Sequence, residues 1–510
     1  MKQWLSKFRA QRLRDRFRDG ARKSPDADLA WWNQPLLSLA IGLCLWGAAS
    51  LLIPAETGGR SGDLLNDSLL KAAHEILLLA ITLISGMLLR VLAPEMFKNN
   101  TRLFLLALCA LAPVLPASIL LHQASHITVL PPAAVGILIP FALAPLLAGV
   151  LLGGAAAVVA GLWTTMTCFM IGNFSVPLLI SGLIATAFAA RMARGLRRRT
   201  QLIRVGLLIG LFQMASLTVM IPADSVMAGK LALMCVCSGL GAALLTLLFL
   251  PLCEALFGVT SNMTLLELSD LAHPLLQRLA FEAPGTYHHS LMLANLVQAA
   301  ADAIGANSIL ARVGAYFHDI GKITKPGYFT ENIRNNENPH GELTPSMSAL
   351  LVMAHIKEGL SLAMLHKLPR PIMDMIQQHH GTGLVFFFHH KAGQLAQAES
   401  QTSTGRGRST TVDESSYRYP GPKPASREAA ILMLADSVEA ASRSLEKPSA
   451  AAISELVDRL VNARFEDKQL DACEMTLAEL SKIKRAFVFC LSNMLHSRIA
   501  YPKQEEKKLG

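Results

Sequence analysis

Between residues 36 and 253 lie eight apolar stretches, at about 36–53, 70–92, 103–121, 132–151, 154–172, 175–191, 204–222 and 231–253. Each is near the roughly 17–25 residues that carry a helix across the hydrocarbon layer of a bilayer. They read as spanning helices, in which every backbone N–H and C=O is bonded within the segment. Composition agrees. At 510 residues, 52% hydrophobic and 16% charged, with mean hydropathy +0.38, the chain is too oily for an ordinary soluble protein of this length. Residues from about 258 onward have the balance of a soluble helical domain, so two architectures share one chain.

Charge sets the orientation. The basic arm MKQWLSKFRAQRLRDRFRDGARK belongs in the cytoplasm by the positive-inside rule. The stretch 132–172 reads as one helix or two; only with two does the basic loop RMARGLRRRTQLIR also fall inside, with everything after residue 253. The outer loops HQASHITVLPPAA and IPADSVMAGK then carry almost no Lys or Arg. The first span has too long a basic leader, and no good cleavage site, for a signal peptide. A net charge of +10 thus speaks of membrane orientation, and no nucleic acid polymer is expected as a partner. Acids and bases strung across the bilayer are missing, which argues against a transporter. The outward apolar surface of the spans suits lipid, and equally a second copy of the chain, so a homodimer stays open.

The eight cysteines show no zinc-like spacing and read as small core residues. In the cytoplasmic part, TPSMSALLVMAHIKEGLSLAMLHK, SREAAILMLADSVEAASRSL and TLAELSKIKRAFVFCLSNMLHSRI repeat apolar residues at helical spacing, and Thr476 with Glu479 fits a capping box. The fold class expected is all-α: a polytopic transmembrane helix bundle followed by a cytoplasmic all-helical domain. The polar run near 391–416 is expected as a disordered insert.

Eleven of the fifteen histidines fall between His273 and His390, a density that core packing does not require. His289 shares a helical face with Leu293, Leu296 and Ala300; His355 with Leu351, Val352 and Leu362; Asp436 with Leu432, Met433 and Ala440. His379 and His380 end RPIMDMIQQHH just before a glycine, and AYFHDIGKIT sets His318 beside Asp319 at the end of a buried helix. An isolated buried charge costs several kcal/mol, so these groups need partners. Imidazole and carboxylate without thiolate suit Fe, Mn or Zn, and the number of groups exceeds what one ion takes. Two ions sharing the aspartate is the economical arrangement. Such a pair, roughly 3.5–4 Å apart, neutralises a phosphodiester and lowers the pKa of a water held between them. Lys322, after the Gly321 turn, is expected to offer a point charge to a phosphate oxygen.

YHHS, HDIGK, SALLVMAHIKEG, HHGT, YRYPGPKP and ILMLADSVEAASRSLEKP, in this order, resemble the HD-domain phosphohydrolases, and specifically the multi-spanning membrane family that hydrolyses cyclic di-AMP. Carried over by motif, the resemblance implies the metal ligands His289, His318, Asp319, His355, His379, His380 and Asp436, with Asp319 bridging two divalent transition-metal ions, Mn or Fe. It selects His289 over its neighbour His288. Asp319 and Lys322 are the catalytic residues expected, and the reaction the resemblance implies opens cyclic di-AMP to 5′-pApA. It also implies a multi-pass protein of the bacterial cytoplasmic (inner) membrane, with the N-terminus and the HD domain in the cytoplasm. The division expected is a basic arm 1–35, a transmembrane region 36–257, a connecting segment 258–283, an HD domain 284–502 and a charged tail 503–510. A cyclic di-GMP branch is disfavoured, because HHGTGLVFFFHHK stands where that branch carries Gly-Tyr-Pro. Family members usually carry a large extracellular domain between the first two spans, where only residues 54–69 stand here. Two other classes remain open: an HD phosphohydrolase acting on another nucleotide, and a nucleotide-binding membrane receptor without turnover.

Overall fold

The computed structural model describes residues 35–52, 64–124, 135–193, 195–220, 225–333, 339–402, 412–445 and 449–496. The basic arm and the charged tail lie outside them. The chain separates into two compact units, Met1–Met263 and Thr264–Gly510. The described residues are helical, with an isolated bridge between Leu384 and Arg418 and no longer strand pairing among them.

The first unit contains α1 (Pro35–Leu52), α2 (Leu64–Leu92), α3 (Asn100–Leu111), α4 (Val114–Ala124), α5 (Leu143–Leu152), α6 (Gly154–Ile171), α7 (Val176–Ala193), α8 (Arg199–Met220) and α9 (Ser225–Phe257). Lipid-length apolar helices account for seven stretches of this unit, with α3 and α4 together spanning Asn100–Gln123. The stretch expected at 132–151 is different. It is a shorter apolar segment, Gly136–Leu152, opened by a 3-10 turn and interrupted before α5 begins at Leu143. Pro140 lacks the N–H that would continue a helix there.

Helix contacts in this unit rest on small residues and hydroxyls, as expected where lipid removes any hydrophobic drive for helices to associate. A Cβ added to Gly206 on α8 would stand 2.5 Å from the carbonyl oxygen of Gly239 on α9, so both positions need the bare backbone. Gln213 Nε2 donates to Ser181 Oγ at 2.8 Å, Ser238 Oγ to the Ile139 carbonyl at 2.8 Å, and Trp163 Nε1 to Thr82 Oγ1 at 3.1 Å. Large apolar side chains such as Leu51, Ile76 and Val91 stand exposed, the pattern of surface that meets lipid.

The second unit contains α10 (Asn262–Leu268, which crosses its boundary), α11 (Pro274–Glu282), α12 (Pro284–Ile304), α13 (Ser308–Phe317), α14 (Pro345–Leu365), α15 (Arg370–Gln378), α16 (Phe386–Thr402), α17 (Arg427–Ser442), α18 (Ala450–Glu466) and α19 (Leu477–His496). Its core is built from Leu293, Leu296, Phe317, Ile376, Leu432 and Phe487, all buried. By length and composition α14 would also pass as a span. It is instead a domain helix that packs on α15, α16 and the 3-10 turn Ile320–Thr324. The capping box expected at Thr476 is present: Glu479 N donates to Thr476 Oγ1 at 3.2 Å, and Thr476 N to Glu479 Oε2 at 2.8 Å.

The insert expected to be disordered over 391–416 is corrected in its first part. Residues up to Thr402 continue α16 as helix, because KAGQLAQAES is rich in Ala, Leu, Gln and Glu, good helix formers that outweigh its polar character. Residues 403–411 lie outside the described part, and a 3-10 turn at Glu414–Tyr417 follows.

Candidate metal centre

Five helices deliver the seven residues singled out by sequence. His289 sits on α12, His318 at the C-terminal cap of α13, His355 on α14, His379 at the C-terminal cap of α15 and Asp436 on α17. Asp319 and His380 follow the two capping histidines directly. His318, Asp319, His355 and His379 are buried, and His289 is 5% exposed whereas His288 faces outward.

Three of the rings are aimed by one device. Nδ1 of His318, His355 and His379 each hydrogen-bonds a carbonyl three residues earlier, at Ala315 (2.8 Å), Val352 (2.5 Å) and Ile376 (2.8 Å). At His318 and His379 a helix end leaves such carbonyls without intrahelical partners; at His355, inside α14, the Val352 carbonyl is shared with the helix. Donation from Nδ1 fixes the tautomer and turns the lone pair of Nε2 into the cavity. His289 is aimed instead by a carboxylate: its Nδ1 donates to Glu439 Oε2 at 2.7 Å, and Arg443 holds the other Glu439 oxygen at 2.8 Å.

The ring nitrogens converge on Asp319. Its Oδ2 stands 3.2 Å from His318 Nε2 and 4.0 Å from His289 Nε2, and its Oδ1 stands 3.4 Å from His355 Nε2 and 3.6 Å from His379 Nε2. Asp436 Oδ1 meets His289 Nε2 at 3.1 Å, and its Oδ2 lies 3.7 Å from His380 Nδ1. Three groups of ligand atoms lie within 4.8 Å of one another: His289, His318 and Asp436; His355, His379 and His380; and His318, Asp319 and His379. His318 Nε2 and Asp319 Oδ1 are buried and make no well-formed hydrogen bond among the described residues. Orphaned lone pairs facing one another in a closed, thiolate-free cavity are the donor set a divalent cation satisfies.

The two sides of Asp319 differ electrically. Burial would push the His289 imidazole down, but Asp436 and Glu439 pull it up to about 10. On the other side burial takes His355 down to about 4, and burial together with His379 holds His380 well below the usual histidine range. The first side is rich in carboxylate and attracts cations; the second is nearly all neutral imidazole. Burial opposes ionisation of Asp319 and Asp436, yet His318 and Lys322 beside the first, and His289 beside the second, hold both carboxyls below the usual range.

Lys322, expected to reach toward a phosphate, holds its ammonium between two carboxylates, 2.8 Å from Asp319 Oδ2 and 2.8 Å from Glu331 Oε1, over the ring of Phe329. Thr286 Oγ1 also donates to Glu331 Oε1, at 2.9 Å. Gly321 explains the turn between Asp319 and Lys322: a Cβ there would collide with the His355 carbonyl oxygen, so the 3-10 turn and α14 approach only because it is absent. Tyr419, from YRYPGPKP, stacks on His380 with ring centres 4.3 Å apart. Sequence reasoning missed Glu439 and Tyr419. For Glu439 a signal existed, since three residues after Asp436 is the same helical face; Tyr419 lies in YRYPGPKP, a motif of the resemblance, but outside regular structure it has no periodicity to show where its ring points.

Residues 69–261 match the family model described as a 7TM receptor with intracellular HD hydrolase, and residues 286–441 match the HD domain. The chain is 39% identical over 334 residues to the cyclic-di-AMP phosphodiesterase PgpH of Bacillus subtilis, covering 64% of this chain and 45% of the relative. It is 35% identical over 388 residues to the protein of that name from Listeria monocytogenes, covering 73% and 51%. The chain thus spans about half the length of these curated relatives. Among solved structures, the HD domain of the L. monocytogenes phosphodiesterase PgpH in complex with cyclic-di-AMP is 42% identical, with a TM-score of 0.41, over 44% of this chain and 100% of that one.

Proposed function

We propose, for a chain that belongs to the family of 7TM receptors with an intracellular HD hydrolase, that it is a membrane-anchored phosphodiesterase opening cyclic di-AMP to 5′-pApA at a site for two divalent ions. The observation that carries this reading is the pair of ligand groups on either side of Asp319, His289 with His318 and Asp436, and His355 with His379 and His380. In this reading Asp319 together with the two ligand groups would hold both ions; imidazole and carboxylate donors suit Fe, Mn or Zn, and the family resemblance favours Mn or Fe among these. When bound, such a pair offsets the charge of a phosphodiester and makes a water nucleophilic at neutral pH.

The chain's own residues do the rest. Backbone carbonyls and Glu439 hold four imidazoles with a nitrogen facing the cavity. Lys322 acts here as a positioning residue, fixing Asp319 Oδ2 while Glu331 fixes Lys322. Buried apolar residues around the cluster exclude bulk water, which strengthens every charge interaction inside. The substrate assignment is supported by the printed activity of the PgpH relatives.

The membrane placement proposed is the bacterial inner membrane with the N-terminus and HD domain cytoplasmic. The matched region 69–261 begins after α1 and holds six lipid-length helices plus Gly136–Leu152. Counting that shorter segment as a crossing gives seven there and eight with α1, the even number the basic loops require. Product analysis tests the function: purified full-length chain, loaded with Mn²⁺ or Fe²⁺, is given cyclic di-AMP and cyclic di-GMP separately. Conversion of cyclic di-AMP to 5′-pApA, lost in a His318→Ala, Asp319→Ala variant, supports it. A folded, metal-loaded chain that binds cyclic di-AMP without turnover would move the reading to a receptor.

A further inference from the structure

The centre is not equally open on all sides. The side chains of His318, Asp319, His355 and His379 are sealed, whereas those of His380 and Asp436 are 22% and 15% exposed. A ligand approaching from solvent therefore meets the His380 and Asp436 side first. One arginine stands there. Arg464, in the last turn of α18, donates from Nε to Ser437 Oγ at 3.2 Å, and Ser437 is the residue after Asp436. A Cβ on Gly383 would lie 2.9 Å from Arg464 Nη1. Gly383 closes the turn after the paired histidines, its N bonded to the His380 carbonyl at 3.0 Å, and its own carbonyl accepts from Tyr419 N at 3.0 Å.

The guanidinium is thus bracketed by Ser437, the residue after Asp436, and by Gly383, three residues after His380. It is held by Nε alone: among the described residues Nη1 and Nη2 have no hydrogen-bond or ion-pair acceptor. The nearby carboxylate Asp467 is already engaged by Arg418, at 2.9 and 3.1 Å. A half-buried planar cation anchored at one nitrogen, with its two amino groups free, is suited to bidentate contact with a phosphate.

The proposed substrate carries two phosphodiester anions, and the pair of ions serves one. Resting on that reading, we infer that Arg464 binds the second, uncut phosphate of the cyclic dinucleotide and so selects a ligand with two phosphates over a simple diester.

The test compares full-length wild type, Arg464→Gln and Arg464→Lys on cyclic di-AMP and on bis(p-nitrophenyl) phosphate, which has a single phosphate, with metal content measured for each. Loss of a charge-assisted bidentate contact is expected to raise KM for cyclic di-AMP about 10–100-fold in Arg464→Gln, lowering the ratio of kcat/KM for the two substrates by that factor. Arg464→Lys, with a point charge, is expected to recover part of it. An unchanged KM, or an equal loss on both substrates with lowered metal content, would overturn the inference and leave Arg464 a packing residue. If wild type cleaves the simple diester but not cyclic di-AMP, the substrate reading fails, and the inference with it.

Discussion

Both units are helical, but they bury different kinds of polar group. Among the described residues, every fully buried polar residue of the membrane unit is uncharged, from Asn100 and Thr164 to Gln213 and Thr246, while the partly buried Glu75 keeps one carboxylate oxygen out of solvent and accepts from Ser50 Oγ with the other. The buried Asp319, Glu439, His289, His318, His355 and His379 all belong to the second unit. A hydroxyl or amide can be satisfied by one neighbouring helix, as Thr164 Oγ1 is by the Ala110 carbonyl at 2.8 Å. A buried carboxylate needs a counter-charge. In the second unit the counter-charges come from Lys322, Arg443 and the imidazoles, and the remaining orphaned lone pairs call for metal. Neutral polar groups hold the helices of the first unit together; the concentrated charge of the second gathers at the candidate metal centre.

This contrast breaks most sharply at Asp319. Asp319→Ala in the full-length chain is expected to lower cyclic di-AMP turnover by about 10³-fold or more, as for removal of any member of a catalytic unit. Residual turnover near wild type would take Asp319 out of the centre.

Next in size is Glu439→Gln. Removing the charge that orients His289 is expected to weaken metal affinity about 10–100-fold with the fold intact. Titration with a chelator, followed by circular dichroism of the same samples, checks both parts.

Smaller effects separate packing from chemistry. Gly239→Leu on α9 is expected to cost about 1–3 kcal/mol of overpacking, since even a Cβ there would collide with Gly206. Thermal unfolding in detergent should show the loss, with cyclic di-AMP turnover per folded chain unchanged. A parallel fall in turnover would show that the division by buried charge is not a division of labour.

The smallest expected effect is a pH dependence of the metal-free chain. An unfolded His355 takes up its proton near 6.5, the folded one only near 4. Between those values the unfolded state binds more protons, so stability falls as the pH drops through that window. His289, raised to about 10, is already protonated in the fold; its stabilisation is complete below 6.5 and is lost only as the pH rises toward 10. The unfolding midpoint of chelator-treated protein should therefore be lower at pH 5 than at pH 7, by roughly 2–4 °C for each kcal/mol lost. A higher midpoint at pH 5 would contradict it.

Much of this was legible in the sequence because it is periodic. Apolar length announces the spans, and helical spacing places His289, His355 and Asp436 on inward faces. The all-helical class follows from the same pattern, and the metal-ligand candidates lie in neighbouring groups. What escaped is mostly without period. Glu331 reaches Lys322 from a 3-10 segment, and Tyr419 stacks on His380 from an irregular run; Glu439 does share the helical face of Asp436, but the His289 it aims lies 150 residues away in the chain. The polar residues 391–402 misled in the opposite direction, since polarity says nothing of helix propensity. Gly136–Leu152 was legible as apolar, but not as broken at Pro140.

In the proposed function seven side chains would hold two ions, unequally. Elemental analysis of the purified full-length chain during stepwise chelation tests it directly. Two transition-metal ions per chain are expected, the first to leave coming from His355, His379 and His380, where carboxylate is scarce, so that a His355→Ala, His379→Ala variant retains one. A single ion per chain in wild type, or two retained in that variant, would contradict the account.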